Sequence, residues 1–294
     1  MPRSFRFGLV AASAPSRQAW VSLAQRAEEL GYSTLLIPDR VSVGIPALMP
    51  ALTVAASVTS SLRIGSYVFC NGYRHPVLLA REAATLDLLS DGRFELGLGS
   101  GASSDEFTQM GIPFASAGAR VDQLAETIQV VKQIFTQETV TFSGKYYELT
   151  ELKGNIKPVQ KPHLPILVAG AGERMLKFAA READSIAIGV KFGPRGVDPT
   201  DAPLEQKIAW IKESAGERFA ALELSQTIYD LEITDSEPVA RATGGWYVPR
   251  KPLSTEQAVA HLLEQRERYG FSYLQVSAEQ MENFAPVLAQ LVGK

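Results

Sequence analysis

Phe94-Glu95-Leu96-Gly97-Leu98-Gly99-Ser100-Gly101-Ala102-Ser103-Ser104 is the stretch that decides how this chain of 294 residues is read. A short apolar run, entered through the turn Ser90-Asp91-Gly92, passes directly into a glycine-rich loop. Such a run reads as a buried strand of a parallel sheet. Gly97 to Ala102 also satisfies G-x-G-x-x-(G/A), a spacing that lets main-chain N–H groups approach a phosphate at a helix start. A Rossmann site would add an acidic residue at the end of the next strand, and none stands there. For this loop, and for Gly170-Ala171-Gly172 after a later strand, anion or cofactor binding and turns that merely need positive φ both stay open.

The same alternation continues outward in both directions. Upstream, Phe5 to Val10 reads as a first strand, and Ser16 caps a helix whose Leu23, Ala27 and Leu30 share one face before Gly31 ends it. Thr34 to Ile37 is a second strand stopping at Pro38-Asp39, Leu48 to Ser60 a buried helix, and Arg63 to Cys70 a third strand. Pro76 opens a helix at its first position, with the helical face from Leu78 to Leu89. Downstream, a long polar loop leads to a helix from about Ala119 to Phe135. Thr139 to Leu149 interrupts the rhythm as a hairpin with a two-residue turn at Ser143-Gly144. Pro165 to Ala169 and Ser185 to Val190 are further strands, flanking a helix that holds Met175, Phe178 and Ala179. Lys207 to Leu222, Thr255 to Tyr269 and Met281 to Leu291 read as helices, Glu223 to Thr234 and Tyr273 to Val276 as extended.

No linker or shift in composition divides residues 1–294, so the pattern predicts one α/β domain with about eight strand–helix alternations. A closed (β/α)8 TIM barrel accounts for it better than an open doubly wound sheet, because nothing mid-chain reads as a crossover between two halves. In a barrel, function sits where strands end. Those places are Asp39-Arg40, Cys70 to His75, Gly99 to Asp105, Gly170 to Arg174, Gly189 to Gly193 and the loop after Thr234.

Composition narrows the function. The chain is 46% hydrophobic and 21% charged, with 29 basic against 32 acidic residues, and the basic ones are scattered. That excludes a disordered chain and argues against a nucleic-acid partner. The longest apolar stretches, such as Leu164 to Ala171, are too short for a membrane span, and the start lacks the features of a signal peptide, so a cytoplasmic location is expected. Cys70, the one cysteine, reads as a small buried hydrophobe. His163 and His261 look structural or exposed, and no metal-ligand spacing is present, so no metal is expected. A nucleophile elbow is absent. Asp39-Arg40 reads either as a polar pair at the barrel mouth or as a surface ion pair, and His75 either as a catalytic or as a packed residue. Trp20 and Trp210 read as packing residues, whereas Trp246, in a Gly-Gly-Trp-Tyr loop, is the tryptophan placed to touch a ligand.

Leu36-Ile37-Pro38-Asp39, Tyr73-Arg74-His75-Pro76 with Leu79 to Asp87, and Ser90 to Gly101 together resemble the bacterial luciferase-like superfamily, in its branch that uses coenzyme F420, a deazaflavin. The similarity continues through Phe142 to Tyr147, Pro165 to Gly172, Val276-Ser277 and Phe284-Ala285-Pro286, so it spans nearly the whole chain. The resemblance implies a luciferase-like TIM barrel with the deazaflavin ring at its C-terminal mouth, exchanging a hydride with a small organic substrate. It also implies a non-prolyl cis peptide near Tyr67-Val68, and a homodimer. Carried over by position, Asp39 lies beside the ring with Tyr67, Val68 and Cys70 supporting it. Gly99, Ser100, Gly101 and Asp105 then follow the cofactor, while Ala169, Gly170, Ala171, Gly172, Gly189 and Val190 surround its phosphate tail. Asp39, Arg40 and His75 are the residues expected to take part in catalysis, His75 as a proton donor and Arg40 as a stabiliser of developing negative charge.

Sugar-phosphate dehydrogenases of this branch carry a histidine after the aspartate and a glutamate after the fourth-strand glycine loop; here Arg40 and Ala102 stand in those places, which argues against glucose 6-phosphate. Two alternatives share the fold: an FMN-dependent monooxygenase that activates oxygen, and a catalytically silent flavin-binding protein.

Overall fold

The structure is a computed structural model that describes residues 3–41, 44–154, 156–193, 196–228, 230–236 and 251–294. Eight parallel strands follow one another along the chain: β1 (Arg6–Val10), β2 (Thr34–Ile37), β3 (Arg63–Ser66), β4 (Phe94–Gly99), β5 (Ile166–Gly170), β6 (Ser185–Ile188), β7 (Glu223–Thr227) and β8 (Phe271–Ser277). Each pairs with the next, and β8 returns to β1 with Tyr273 opposite Arg6. The sheet is therefore closed, the (β/α)8 barrel that the strand–helix rhythm predicts.

Period-two alternation sorts each strand into two faces. Phe7, Leu9, Leu35, Ile37, Ile64, Phe94, Leu96, Leu98, Ile186 and Val276 belong to the large apolar cluster between barrel and helices. A smaller cluster of Leu36, Leu167, Ala187 and Tyr273 fills the barrel's interior. The helices that cover the outside are α1 (Arg17–Glu29), α2 (Leu48–Val58), α3 (Pro76–Leu89), α4 (Ser104–Gln109), α5 (Ala117–Thr136), α6 (Glu173–Glu182), α7 (Leu204–Ala215), α8 (Thr255–Tyr269) and α9 (Met281–Leu291). Ser16 caps α1 as the sequence indicates, its hydroxyl accepting from the Ala19 N–H, and Pro76 stands in the first turn of α3. Among the described residues no helix is long and apolar enough to cross a membrane.

Five local expectations are corrected. Arg63 to Cys70 is not one strand: β3 ends at Ser66, the Tyr67–Val68 bond is cis, and Phe69–Cys70 resumes pairing with β4 opposite Leu98 and Gly99. Tyr67 and Val68 both pack against the interior cluster, and two consecutive inward side chains are incompatible with an unbroken pleat. The polar loop after Ser104 opens with helix α4 and is non-helical only over residues 110–116. The hairpin joins Thr139–Ser143 to Glu148–Lys153 through four residues rather than two, because the Glu126 carboxylate accepts the N–H groups of Lys145, Tyr146 and Tyr147 and holds the wider turn. The helix expected to reach Leu222 stops at Gly216, whose φ is +54°, and continues as a 3₁₀ turn. Glu223 to Thr234 splits into β7 and Leu231–Ile233, which leaves the barrel to pair with Lys251–Leu253.

Charged side chains occupy the N-terminal end of the barrel. Arg6 donates to Glu95 at 2.6 Å and to both Glu223 oxygens at 2.8 and 2.6 Å, and its guanidinium lies 3.4 Å over the Tyr273 ring. Arg63 donates to the same Glu95 oxygen at 2.6 Å. Burial pushes the Glu223 carboxyl upward, but the Arg6 hydrogen bond and charge, with Ser185, outweigh that and leave it below its ordinary 4.5. A carboxylate with a depressed folded-state pKa contributes stability that is complete above the unfolded value and is lost as pH falls through the folded one. Urea-denaturation midpoints are therefore expected to be level at neutral pH and to fall below pH 4.5. Glu223→Gln should flatten part of that fall, and an unchanged acid profile in the variant would remove Glu223 from the account.

Candidate active site

A cleft of about 580 Å³ opens at the C-terminal ends of the strands. Its wall is built from the segments that follow β2, β3, β4, β5 and β6. The sequence-derived residues Asp39, Arg40, Tyr67, Val68, Cys70, Gly99, Ser100, Gly101, Ala169, Gly170, Ala171, Gly172, Gly189 and Val190 all line it. His75 and Asp105 do not. His75 is exposed at the start of α3, where its Nδ1 accepts the Val77 N–H and its ring meets Tyr147 edge-on. It is held as a helix cap, away from the cleft. Asp105 is exposed in the first turn of α4, and its neighbour Glu106 faces inward instead. Trp246 lies outside the described residues, as does most of the loop after Thr234.

Asp39 follows β2 and is fixed from two sides. Its Oδ2 accepts the Cys70 N–H at 3.1 Å and an Arg74 Nη1 contact at 2.5 Å, while Oδ1 accepts from Arg74 Nη2 at 3.1 Å. The two parallel contacts make a bidentate pair, and only 9% of the Asp39 side chain is exposed. Arg74 also lies 4.8 Å over the Phe69 ring. A carboxylate held this firmly by the protein presents its remaining lone pairs in a fixed direction.

Next to it, Arg40 Nε donates to Glu106 Oε1 at 2.6 Å and the Tyr73 hydroxyl donates to Glu106 Oε2 at 3.0 Å. Glu106 is buried, with 4% of its side chain exposed, whereas Arg40 is 44% exposed at the rim. Burial, the adjacent Cys70 and the bond to Glu106 raise the Tyr73 phenol above its ordinary range. Burial also pushes the Cys70 thiol up to about 11, so at neutral pH it is a neutral wall residue and not a nucleophile. Glu106 is a residue of the cleft that the sequence reading passes over, and Tyr73 falls in the Cys70 to His75 stretch without being singled out. Ser103-x-x-Glu106 has the capping-box spacing, and the Ser103 hydroxyl does accept the Glu106 N–H, so the start of α4 was signalled.

The loop after β4 is glycine where a side chain would collide with the cleft's own wall. A Cβ on Gly99 would stand 2.7 Å from Val68 Cγ2, and one on Gly101, at φ +83°, 2.9 Å from Cys70 Sγ. Across the cleft, Gly170 to Gly172 lead into α6, whose first turn has no side-chain cap. Open backbone N–H groups at that end suit an anionic tail, and the flat, glycine-lined groove beside Val68 suits a planar ring. The residues present therefore fit a flavin-type cofactor. Among the described residues no group of three His, Cys, Asp or Glu side chains is placed to hold a metal ion.

Comparison with known proteins places the fold and the family. An uncharacterized protein of Mycobacterium tuberculosis (strain ATCC 25618 / H37Rv) is 32% identical over 222 residues, covering 67% of this chain and 72% of its own length. An F420-dependent glucose-6-phosphate dehydrogenase of Amycolatopsis mediterranei is 27% identical over 281 residues, 82% of this chain and 83% of the relative. The solved structure of a coenzyme F420-dependent tetrahydromethanopterin reductase from Methanopyrus kandleri superposes with a TM-score of 0.77, covering 99% of both chains at 20% identity. Residues 4–214 match the family described as luciferase-like monooxygenase, and with the closed barrel and its glycine-lined cleft this makes the chain a member of that family of oxidoreductases.

Proposed function

We propose that the protein is a coenzyme F420-dependent oxidoreductase that moves a hydride between the deazaflavin and a small organic substrate. The observation that carries this reading is the cleft itself. Its wall combines the Val68 floor, the side-chain-free flank at Gly99 and Gly101, and the uncapped α6 terminus, in a chain similar over 82% of its length to an F420-dependent dehydrogenase. When bound, the deazaflavin supplies two-electron transfer at a ring carbon. The protein's part would be placement: Val68 and Gly99 would hold the ring, Asp39 would accept a hydrogen bond from it, and the α6 N-terminus would hold the phosphate.

Arg40 and Ala102 occupy the positions where sugar-phosphate dehydrogenases of this branch carry histidine and glutamate, and both line the cleft. A cation held by Glu106, with no carboxylate at position 102, suits stabilising negative charge on a carbonyl or enoate oxygen better than removing a proton from a sugar hydroxyl. An FMN-dependent monooxygenase remains the second reading, favoured by the description of the matching family.

Titration of the purified protein with coenzyme F420 and separately with FMN, followed by tryptophan quenching, tests the proposal. Saturable binding of the deazaflavin with weak FMN binding is expected. Asp39→Ala should weaken deazaflavin binding about tenfold or more, the value of a hydrogen bond to a charged group, with an unchanged far-UV circular dichroism spectrum. Tight FMN binding alone would move the protein to the second reading, and equal F420 affinity in Asp39→Ala would take Asp39 out of the site.

A further inference from the structure

A second, smaller pocket of about 210 Å³ lies beside the cleft, and Ser100 lines both. Phe107, Ile112, Pro113 and Ala115 give it an apolar wall, while Arg120 and Gln123 of α5 add polar groups. Arg120 is the unusual member. Its guanidinium sits 3.9 Å over the Phe114 ring and donates from Nη1 to the Ala115 carbonyl, but its Nε is buried without a hydrogen-bond partner. No carboxylate among the described residues lies within ion-pair distance of it. Burial lowers its pKa, with only the distant influence of Cys70 acting in the opposite sense.

Arg120 also stands in the first turns of α5, where the helix dipole disfavours a cation. The arginines that line the cleft, Arg40 and Arg174, each have a carboxylate, Glu106 and Asp122. A partly buried guanidinium that lacks one, and whose Nε is sealed without a partner, is costly to the free protein and is relieved by an anion from outside. The apolar wall restricts which anion: a carboxylate carried on a short hydrocarbon stem satisfies both the cation and the wall, whereas a compact, strongly hydrated anion satisfies only the first.

We propose that this pocket binds the carboxylate end of a small amphipathic acid and thereby selects substrates of that class. The identification of the occupant as a substrate rests on the F420 reading; the binding of the acid does not.

Hexanoate and its neutral isostere hexanamide are suitable probes, measured by isothermal titration calorimetry on the full chain without added cofactor. Native protein is expected to bind hexanoate about tenfold or more tightly than hexanamide, and Arg120→Met should abolish that preference while leaving hexanamide binding unchanged. Arg120→Lys, which keeps the charge but not the fork, should retain part of it. The native comparison needs no variant, so a misfolded Arg120→Met would not rescue the proposal. Absence of saturable hexanoate binding, an undiminished preference in Arg120→Met, or equal affinity for inorganic phosphate and hexanoate would each overturn it. Hexanoate binding with no F420 binding would instead leave the pocket standing and remove the cofactor reading.

Discussion

Gly97→Ala should lower the stability of the protein by about 3 kcal/mol, the upper part of the range for overpacking a buried site. Gly97 is on the inner face of β4, and a Cβ there would stand 2.1 Å from the Ser66 carbonyl oxygen and 3.0 Å from Val68 Cγ1. The first of these is main chain and cannot rotate away. Ser66 is also tied to Gly97 twice, its hydroxyl donating to the Gly97 carbonyl and accepting the Gly97 N–H, both at 2.8 Å. The added methyl must therefore push β4 away from the segment that carries Tyr67 and Val68. Because Val68 forms the floor of the cleft, deazaflavin affinity should fall together with stability. Urea unfolding and the F420 titration read the two effects separately. A variant with a native unfolding midpoint would mean that the β3–β4 junction yields more easily than its geometry indicates.

Glu95→Ala acts two residues nearer the start of the same strand. Its carboxylate serves Arg6, Arg63 and the Tyr273 hydroxyl at once, and it is 9% exposed. Removing it leaves Arg63 without its carboxylate and Arg6 with Glu223 alone, in a part of the barrel where each arginine side chain is only about a quarter exposed. Breaking one member of a buried ion network strands the rest, and about 3 kcal/mol is the expected loss in urea unfolding. The cleft should be unaffected, so cofactor affinity is the control. A loss well below 1 kcal/mol would show that water takes over the role of the carboxylate.

The barrel was legible because its signal is a rhythm repeated eight times, which local errors do not erase. β2, α8 and α9 have the bounds read from their residues alone. What escaped depends on partners distant in sequence. The resemblance implies the cis bond at Tyr67–Val68, which the structure has, but the end of β3 at Ser66 follows from Val68 turning inward against Gly97 and Gly99, and the wide hairpin turn from Glu126 on a neighbouring helix. The glycine loops, Asp39 and Arg40 were placed at the cleft by their position at strand ends. His75 does not line the cleft, and a histidine before a helix-initiating proline has the same sequence appearance whether it caps or catalyses. Asp105 comes from the resemblance by position, and nothing in a loop reading says which of two adjacent acids faces inward; a helix beginning at Ser104 turns Glu106 to the cleft. The charge network of Arg6, Arg63, Glu95 and Glu223 was invisible, since each residue is an ordinary strand position until closure of the sheet brings all four together.

β4 carries Glu95 near its start and Gly99 at its end. Four residues of extended chain separate them by roughly 13 Å. Side chains that far apart, with no shared partner, contribute to free energy independently. A lineage of such barrels can therefore accumulate changes around the mouth, trading one substrate for another, while the charged end keeps the same margin against heat. Gly97 and Ser66 lie midway, where the two demands meet, so in any set of relatives tolerance to substitution should be lowest in the middle of the strand rather than at either end.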